Sequence, residues 1–211
     1  MTPTPALTAW LPLFPLKAVL YPGGVLPLRI FETRYIDMLR ECMKNDAPFG
    51  IVLIKSGQEV GAAAEPEQVG VLAHLIDWDM PELGLMMVRV RGGERFRIHE
   101  TRVYPDQRLE ALTEPIPPDP EVAPSDMHVQ CARALKLVID DMEARLRTSD
   151  EPDDATPFAR PLRMDSASWV ANRWCEILPI PLQARQKLLE LEDPSMRLSL
   201  VHQYLTQHRI I

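Results

Sequence analysis

Four arginines in one short stretch are the side chains of this sequence best placed to bind a charged group. The segment MMVRVRGGERFRI, residues 86–98, carries Arg89, Arg91, Arg95 and Arg97 around two glycines. A three-residue loop at Gly92-Gly93-Glu94 would fold it into a β-hairpin with one apolar face. That register opposes Arg91 to Arg95 and Arg89 to Arg97, and like charges directly across a sheet destabilise it. We therefore expect acidic groups over these arginines.

The acidic groups could be internal or could come from a partner. Internal ion pairs are the simpler expectation, because surface arginines usually have local partners. The alternative is a docking point for an acidic or carboxylate-bearing peptide, in which case charge reversal at Arg89 and Arg97 would weaken binding and leave the fold intact. The internal candidates are Glu32, Asp77, Asp79 and Glu100.

A methionine-rich segment lies just before the arginines. IDWDMPELGLMM, residues 76–87, offers the adaptable apolar side chains that promiscuous binding surfaces use. Met86 shares a strand face with Val88 and Val90, so we expect it in the core. Trp78 and Met80, beside the expected hairpin tip DMPELG, are the better candidates for exposed contacts with a polypeptide.

Motifs for other chemistry do not occur. The sequence has no Gly-Lys dipeptide, no GxGxxG and no GxSxG, and His99-Glu100 lacks the second histidine of a zinc protease helix. The remaining histidines have no ligand spacing. Three widely separated cysteines, Cys42, Cys131 and Cys175, are expected to be buried thiols. We therefore predict no catalytic residue, no metal and no cofactor.

Charge and hydropathy restrict the partners. The net charge is -7 over 211 residues, and both halves are acidic, which disfavours nucleic acid as the main partner. No window approaches the roughly 18 apolar residues of a membrane span, and the N-terminus MTPTPALTAWLPLF has no signal-peptide pattern. We expect a cytoplasmic protein that does not associate with membranes.

The pattern of elements changes near residue 118. Before it we predict seven short strands in a closed or half-closed antiparallel barrel, with one helix that begins near Thr33. The helix should bury Tyr35, Ile36, Leu39, Cys42 and Met43. The predicted strands span residues 11–16, 25–30, 49–55, 69–78, 85–91, 95–104 and 108–113.

After the proline-rich segment EPIPPDPEVAP, residues 114–124, the apolar spacing becomes helical. Ser125, Asp165 and Asp193 are predicted helix caps, and Pro181 suits the first turn of another helix. The expected organisation is therefore a β-barrel lobe, residues 1–118, and a helical bundle lobe, residues 119–211, joined by this linker.

Several segments together resemble one known family. LPLFPLKAVLYPGGVLPLRIFETRY, FGIVLI, VGVLAHLID, VRGGERFRI and ANRWCEILPIPLQARQKLLELEDPSMRL, in this order over residues 11–205, are similar to the N-terminal substrate-binding domain of the ATP-dependent Lon protease. The resemblance implies an α+β fold, with a mainly antiparallel PUA-like pseudobarrel followed by helices.

The resemblance also implies a function. Members of the family engage unfolded or tagged polypeptides, so we expect a non-catalytic polypeptide-binding module, with a groove between the lobes or an edge strand as its binding surface. The chain ends where the family's ATPase and Ser-Lys peptidase would begin, so it resembles a stand-alone version, acting alone or delivering clients to an ATP-dependent protease. An RNA-binding PUA-like protein and an enzyme with an unrecognised interlobe site are the alternatives, and the oligomeric state is left open.

The segment before the first helix should serve packing. Phe31 and Tyr35, four residues apart, are predicted to lie on one helical face and pin it to the barrel. For Glu32 and Arg34 a buttressing ion pair is the expected role.

Overall fold

A computed structural model of the chain describes residues 10–148 and 158–211. It contains two compact units, Met1–Pro118 and Asp119–Ile211, the first built on a sheet and the second on helices. The predicted α+β class is confirmed. The N-terminal residues 1–9, which entered the prediction about a signal peptide, lie outside the described ranges.

Over its described residues, from Trp10 onward, the first unit is a closed sheet with one helix. Its strands follow the order β2-β5-β4-β3-β1-β6, and an additional β5–β6 pairing closes the ring. The β1–β3 pair is parallel and the other pairs are antiparallel. The elements are β1 (Trp10–Leu16), β2 (Val25–Ile30), α1 (Thr33–Asn45), β3 (Phe49–Ser56), β4 (Glu65–Glu82), β5 (Leu85–Val103) and β6 (Leu109–Pro115).

The predicted hairpin at Gly92-Gly93-Glu94 is wrong, because β5 runs through these residues as one strand. The backbone of Gly92 is bonded to a turn of the preceding chain: its N–H donates to Gly24 O at 2.8 Å, and Gly23 N–H donates to Gly92 O at 2.8 Å. A Cβ at Gly92 would lie 2.2 Å from the carbonyl oxygen of Tyr21. Gly92 therefore permits a close backbone approach and does not form a turn.

The chain reverses instead at Leu83-Gly84. Glu82 and Leu85 pair across this two-residue connection, and Gly84 has a positive φ of 84°. The two strands predicted at 85–91 and 95–104 are thus halves of β5. The first half pairs with β2 and the second with β6, while β4 pairs with both. One strand therefore carries both the closed barrel and the hairpin that extends from it.

The barrel interior is filled by a small apolar cluster around Phe96. A Cβ at Gly50 or Gly70 would lie 2.7 or 2.5 Å from the Phe96 ring, so these two positions leave the room that the ring occupies. The buried cluster is Leu13, Val52, Phe96, Leu109 and Ala111, with Leu11, Leu72 and Ile98 packed against it.

Helix α1 buries the predicted face, although two side chains differ from expectation. Tyr35 packs edge-on against Phe14 with ring centroids 4.5 Å apart, while Met43 is only half-buried. Phe31 is 58% exposed. It precedes Glu32, the N-cap residue, so it is not on the helical face that carries Tyr35. The Glu32–Arg34 ion pair is confirmed, with Arg34 Nη2 2.9 Å from Glu32 Oε2.

The second unit contains four helices in its described part: α2 (Val129–Thr148), α3 (Ala167–Ile177), α4 (Leu182–Glu190) and α5 (Pro194–Gln207). Asp193 caps α5 as predicted, accepting a hydrogen bond from Ser195 N–H at 2.8 Å. The cap of α3 is Ser166 and not Asp165, because the Ser166 hydroxyl accepts from Trp169 N–H. Helix α2 begins four residues after Ser125, whose carbonyl accepts from Val129 N–H.

Arg197 joins the elements of the helical unit. Its Nη1 donates to Asp119 Oδ2 at 2.6 Å and to Asn172 Oδ1 at 3.0 Å, and its Nη2 donates to Asp119 Oδ1 at 3.4 Å and to Leu191 O. Its Nε donates to Leu188 O at 2.9 Å. All five N–H groups are used, and the side chains of Arg197 and Asp119 are only 1% and 7% exposed. This buried hub ties α5 to α3, to the end of α4 and to the start of the unit.

Replacement of Arg197 tests this hub. Arg197→Ala leaves the Asp119 carboxylate buried without its cation, so we expect a loss of about 3–5 kcal/mol in the free energy of unfolding. Arg163→Ala, which removes an exposed ion pair with Glu121, should change the free energy of unfolding little, because exposed ion pairs contribute little to stability. Urea unfolding followed by circular dichroism measures both, and equal losses would contradict the role given to Arg197.

Substitution of Gly92 tests the continuity of β5. In Gly92→Ala the new methyl group meets a backbone carbonyl that cannot move without breaking the hydrogen bonds of Gly23 and Gly24, so we expect a loss of about 3 kcal/mol. Gly61 has a positive φ of 94° but open space around its Cβ position, so Gly61→Ala should cost about 1 kcal/mol. Thermal unfolding of both variants provides the comparison, and a Gly92→Ala protein as stable as wild type would show that the close approach is not needed.

Candidate functional site

The hairpin formed by residues 74–91, the β4–β5 arm, continues beyond the region where β4 contacts β3. The pairing of β3 with β4 ends at Phe49 and Ala73, whereas β4 continues to Glu82. In the arm, β4 pairs with β5, and β5 pairs in turn with β2. The arm is thus a short three-stranded sheet with a tip at Leu83-Gly84.

One face of the arm is largely buried within the first unit. Directly paired residues lie on the same face of a sheet, and Leu28, Val88 and Trp78 form one such row across the three strands. Leu28 and Val88 are buried, but Trp78, in the β4 position of the row, is 52% exposed. Trp78 therefore lies at the margin of the apolar face, where a binding partner can reach it.

Two further apolar side chains of the arm are exposed. Leu83 at the tip is 101% exposed and Ile76 is 49% exposed. Ile76 is the extra residue of a β-bulge, since Leu75 pairs with Val90 but Asp77 already pairs with Arg89. Met80, predicted as a contact, is half-buried. Ile76, Trp78 and Leu83 are thus three large apolar side chains exposed along the arm.

The opposite face of the arm is charged with both signs. Arg89 lies directly across from Asp77, one of the internal partners considered for it, and Arg91 lies across from His74. Arg29 of β2 and Asp79 of β4 flank Met87 in the next row. The like-charge rows expected from the hairpin prediction do not form, because the arginines of β5 pair with residues of other strands and not with each other.

Arg95 and Arg97 lie in the barrel part of β5, apart from Arg89 and Arg91. Arg95 is 4% exposed, so its side chain is not presented at the surface. Arg97 Nε lies 3.8 Å from Glu114 Oε1 of β6. Eight residues along an extended strand separate Arg89 from Arg97 by about 26 Å. The four-arginine cluster predicted from the sequence therefore does not form.

Sequence reasoning placed Leu83 in the apolar segment 76–87 but favoured Trp78 and Met80 as contacts, and it missed the exposure of Ile76 and a second apolar surface. Phe31 and Val60, 58% and 56% exposed, border a groove of about 70 Å³ whose walls include Leu16 and Ile30. The signal for Leu83 was available, since an apolar residue between Glu82 and Gly84 occupies the tip of a turn. No sequence signal marks the groove, because its walls come from four separate segments.

The cysteines of the structure are buried and unbonded, as expected. Burial raises the pKa of the Cys42 and Cys131 thiols to about 11, so both are protonated at neutral pH and are poor nucleophiles. Within the described ranges, no group of three or more His, Cys, Asp or Glu side chains could share a metal ion. Among the described helices, none is long and apolar enough to cross a membrane.

His128 has a hydroxyl group within hydrogen-bonding distance of each of its ring nitrogens. Its Nδ1 lies 3.0 Å from Ser125 Oγ and its Nε2 lies 3.2 Å from Ser199 Oγ. The His202 ring is 5.7 Å away between centroids. Burial, and secondarily the charge of His202, lowers the pKa of His128. Both ring nitrogens therefore face serine hydroxyls, and the lowered pKa keeps the ring neutral at neutral pH.

Solved structures with the same fold define the class of this protein. A Lon N-terminal domain protein from Xanthomonas campestris is 30% identical, has a TM-score of 0.72, and covers 92% of this chain and 97% of its own. The N-terminal domain of the Mycobacterium avium complex Lon protease has the same fold at 16% identity, with a TM-score of 0.65 over 95% of this chain. The protein is therefore of the Lon N-terminal domain class.

The sequence comparison specifies the family. The profile described as the ATP-dependent protease La (LON) substrate-binding domain matches residues 10–207, and the chain belongs to that family. The Lon protease of Anaeromyxobacter dehalogenans (strain 2CP-C) is 25% identical over 97% of this chain, and cereblon of Danio rerio is 32% identical over 52% of it. The chain spans about a quarter of the length of these relatives, 24% and 27%.

The surroundings of His128 predict a pH dependence. Because its pKa is lowered in the folded state, the unfolded chain binds a proton there first, near pH 6.5. The stability that neutral His128 provides is present above about pH 6.5 and is lost as the pH falls below it. We expect a smaller loss in His128→Gln than in wild type between about pH 7.5 and pH 5.5. Urea unfolding at the two pH values measures this difference, and identical losses would show that His128 does not titrate on unfolding.

Proposed function

We propose that this protein is a non-catalytic polypeptide-binding module in which the β4–β5 arm contacts exposed apolar segments of unfolded clients. Membership of a substrate-binding family supports the class of ligand. The observation that carries the choice of surface is the exposure of Ile76, Trp78 and Leu83 on a paired, extended hairpin.

Large apolar side chains on paired strands suit this role. Scattered single apolar residues are common on protein surfaces, but several on one element indicate an interaction surface. Trp78 brings the large aromatic area that dominates binding energies in many interfaces. Pairing of β4 with β5 fixes the backbone before the client arrives, so less conformational entropy is lost on binding.

The charged face of the arm supports loose specificity. Arg29, Arg89 and Arg91 share this face with Asp77 and Asp79, and Arg89 lies directly across from Asp77. Positive and negative charges of a client can therefore both pair with groups of the arm, because neither sign of charge dominates this face. This arrangement fits recognition of many unfolded sequences better than recognition of one acidic peptide.

The biological setting is part of the same proposal. A module of this family that binds clients through the arm could act alone as a holding protein or deliver them to an ATP-dependent protease, and we propose the adaptor role in the cytoplasm. The adaptor role requires that the protein, added in trans, increase degradation of an unfolded substrate by such a protease. No increase would leave client binding by itself as the function.

The binding surface is tested by titration with reduced, carboxymethylated lactalbumin carrying a fluorophore. The double variant Trp78→Ala, Leu83→Ser should bind about tenfold or more weakly than wild type, because truncation of a hot-spot aromatic costs about 2 kcal/mol or more. The matched control replaces two exposed apolar residues of the helical unit, Leu137→Ser with Met196→Ser, and should bind like wild type.

Two results would overturn this assignment. Equal affinity of the arm variant and wild type would remove the arm as the binding surface. A larger effect in the control than in the arm variant would transfer binding to the helical unit. Unfolding curves of both variants establish that each remains folded at the temperature of the titration.

A further inference from the structure

The β4–β5 arm has an open sheet edge. On the side away from β5, no strand of the described chain pairs with β4 beyond Ala73. An open edge presents unpaired N–H and C=O groups, which are a template for another extended chain. Exposed Ile76 and Trp78 lie along this edge, so its side chains favour association as well.

Two aspartates occupy the donors of this edge. Trp78 N–H donates to Asp77 Oδ1 at 2.9 Å, and Met80 N–H donates to Asp79 Oδ1 at 2.8 Å. Residues two apart in a strand point their N–H groups to the same side. Trp78 N–H and Met80 N–H are thus successive donors on the outer side of β4. Each is bound by the carboxylate of the residue that precedes it in the sequence.

Other features of the same stretch oppose strand addition. Register shifts in the β4–β5 pairing occur between Leu75 and Asp77 and between Asp79 and Glu82. Such bulges twist an edge away from a regular ladder. Pro81, within the second shift, has no N–H to donate. The edge is therefore irregular on both sides of the regular stretch Asp77–Asp79.

We propose that Asp77 and Asp79 guard this edge against strand addition by a second copy of the chain. An antiparallel pairing of two β4 edges centred on Trp78 would place Asp77 of one copy opposite Asp79 of the other, twice. Directly opposed side chains have Cβ atoms about 4.5–5.5 Å apart, where like charges repel. The carboxylates act both by occupying the N–H groups and by repulsion, and the guard operates whether or not the arm binds clients.

The test separates the two actions of the carboxylates. Asp77→Ala with Asp79→Ala removes acceptor and charge, whereas Asp77→Asn with Asp79→Asn removes the charge but keeps a carbonyl acceptor for each N–H. The control, Asp37→Ala with Glu41→Ala, removes the same charge from exposed positions of α1. Light scattering coupled to size-exclusion chromatography, at high micromolar concentration, gives the mass of each variant and of wild type.

We expect the Ala pair to approach twice the mass of the control, and the Asn pair to associate less than the Ala pair. Amide hydrogen exchange at Trp78 and Met80 should be slower in the Ala pair, where a sheet ladder between two copies holds these N–H groups, than in wild type, where each is held only by the side chain of an exposed aspartate. An Ala pair with the mass of wild type would overturn the proposal. So would a dimer in which these two amides remain unprotected, because association would then not use the edge.

Discussion

The close contact between Gly92 and the Tyr21–Gly24 turn is the constraint on which the first unit depends. The carbonyl oxygen of Tyr21 lies only 2.2 Å from the position of a Cβ on residue 92, and the Gly92 backbone is bonded on both its N–H and its C=O to this turn. With its centre held there, β5 continues as a single strand that pairs with β2, β4 and β6. The arm exists because the chain does not reverse at the two glycines.

The predictions from sequence succeeded where one local pattern determines the structure. The helical spacing from Tyr35 to Cys42 placed α1, and Asp193-Pro194 placed the start of α5, since both depend on neighbouring residues only. The hairpin at Gly92 failed for the opposite reason. Two consecutive glycines are equally suited to a turn and to a close approach, and the Tyr21 carbonyl that decides between them is distant in sequence.

The candidate site was predicted in part for the same physical reasons. Trp78, Arg89 and Arg91 do belong to one arm, because they are close in sequence on either side of a real turn. Arg95 and Arg97 were assigned to the same cluster through the hairpin error, and the continuous strand moves them into the barrel. The open outer edge of β4, to which the two carboxylates bind, depends on where the pairing with β3 ends, and no local pattern encodes that.

The arm combines exposed side chains with a protected backbone. Trp78 and Leu83 are accessible to a client, while the N–H groups of Trp78 and Met80 are already bonded to aspartates. Site-specific photocrosslinking to an unfolded polypeptide tests this most directly, with a benzoyl-phenylalanine at position 83 and, as reference, at the exposed Leu137 of the helical unit. We predict strong crosslinking from position 83 and little from position 137. Crosslinking confined to position 137 would contradict the assignment of the arm as the binding surface.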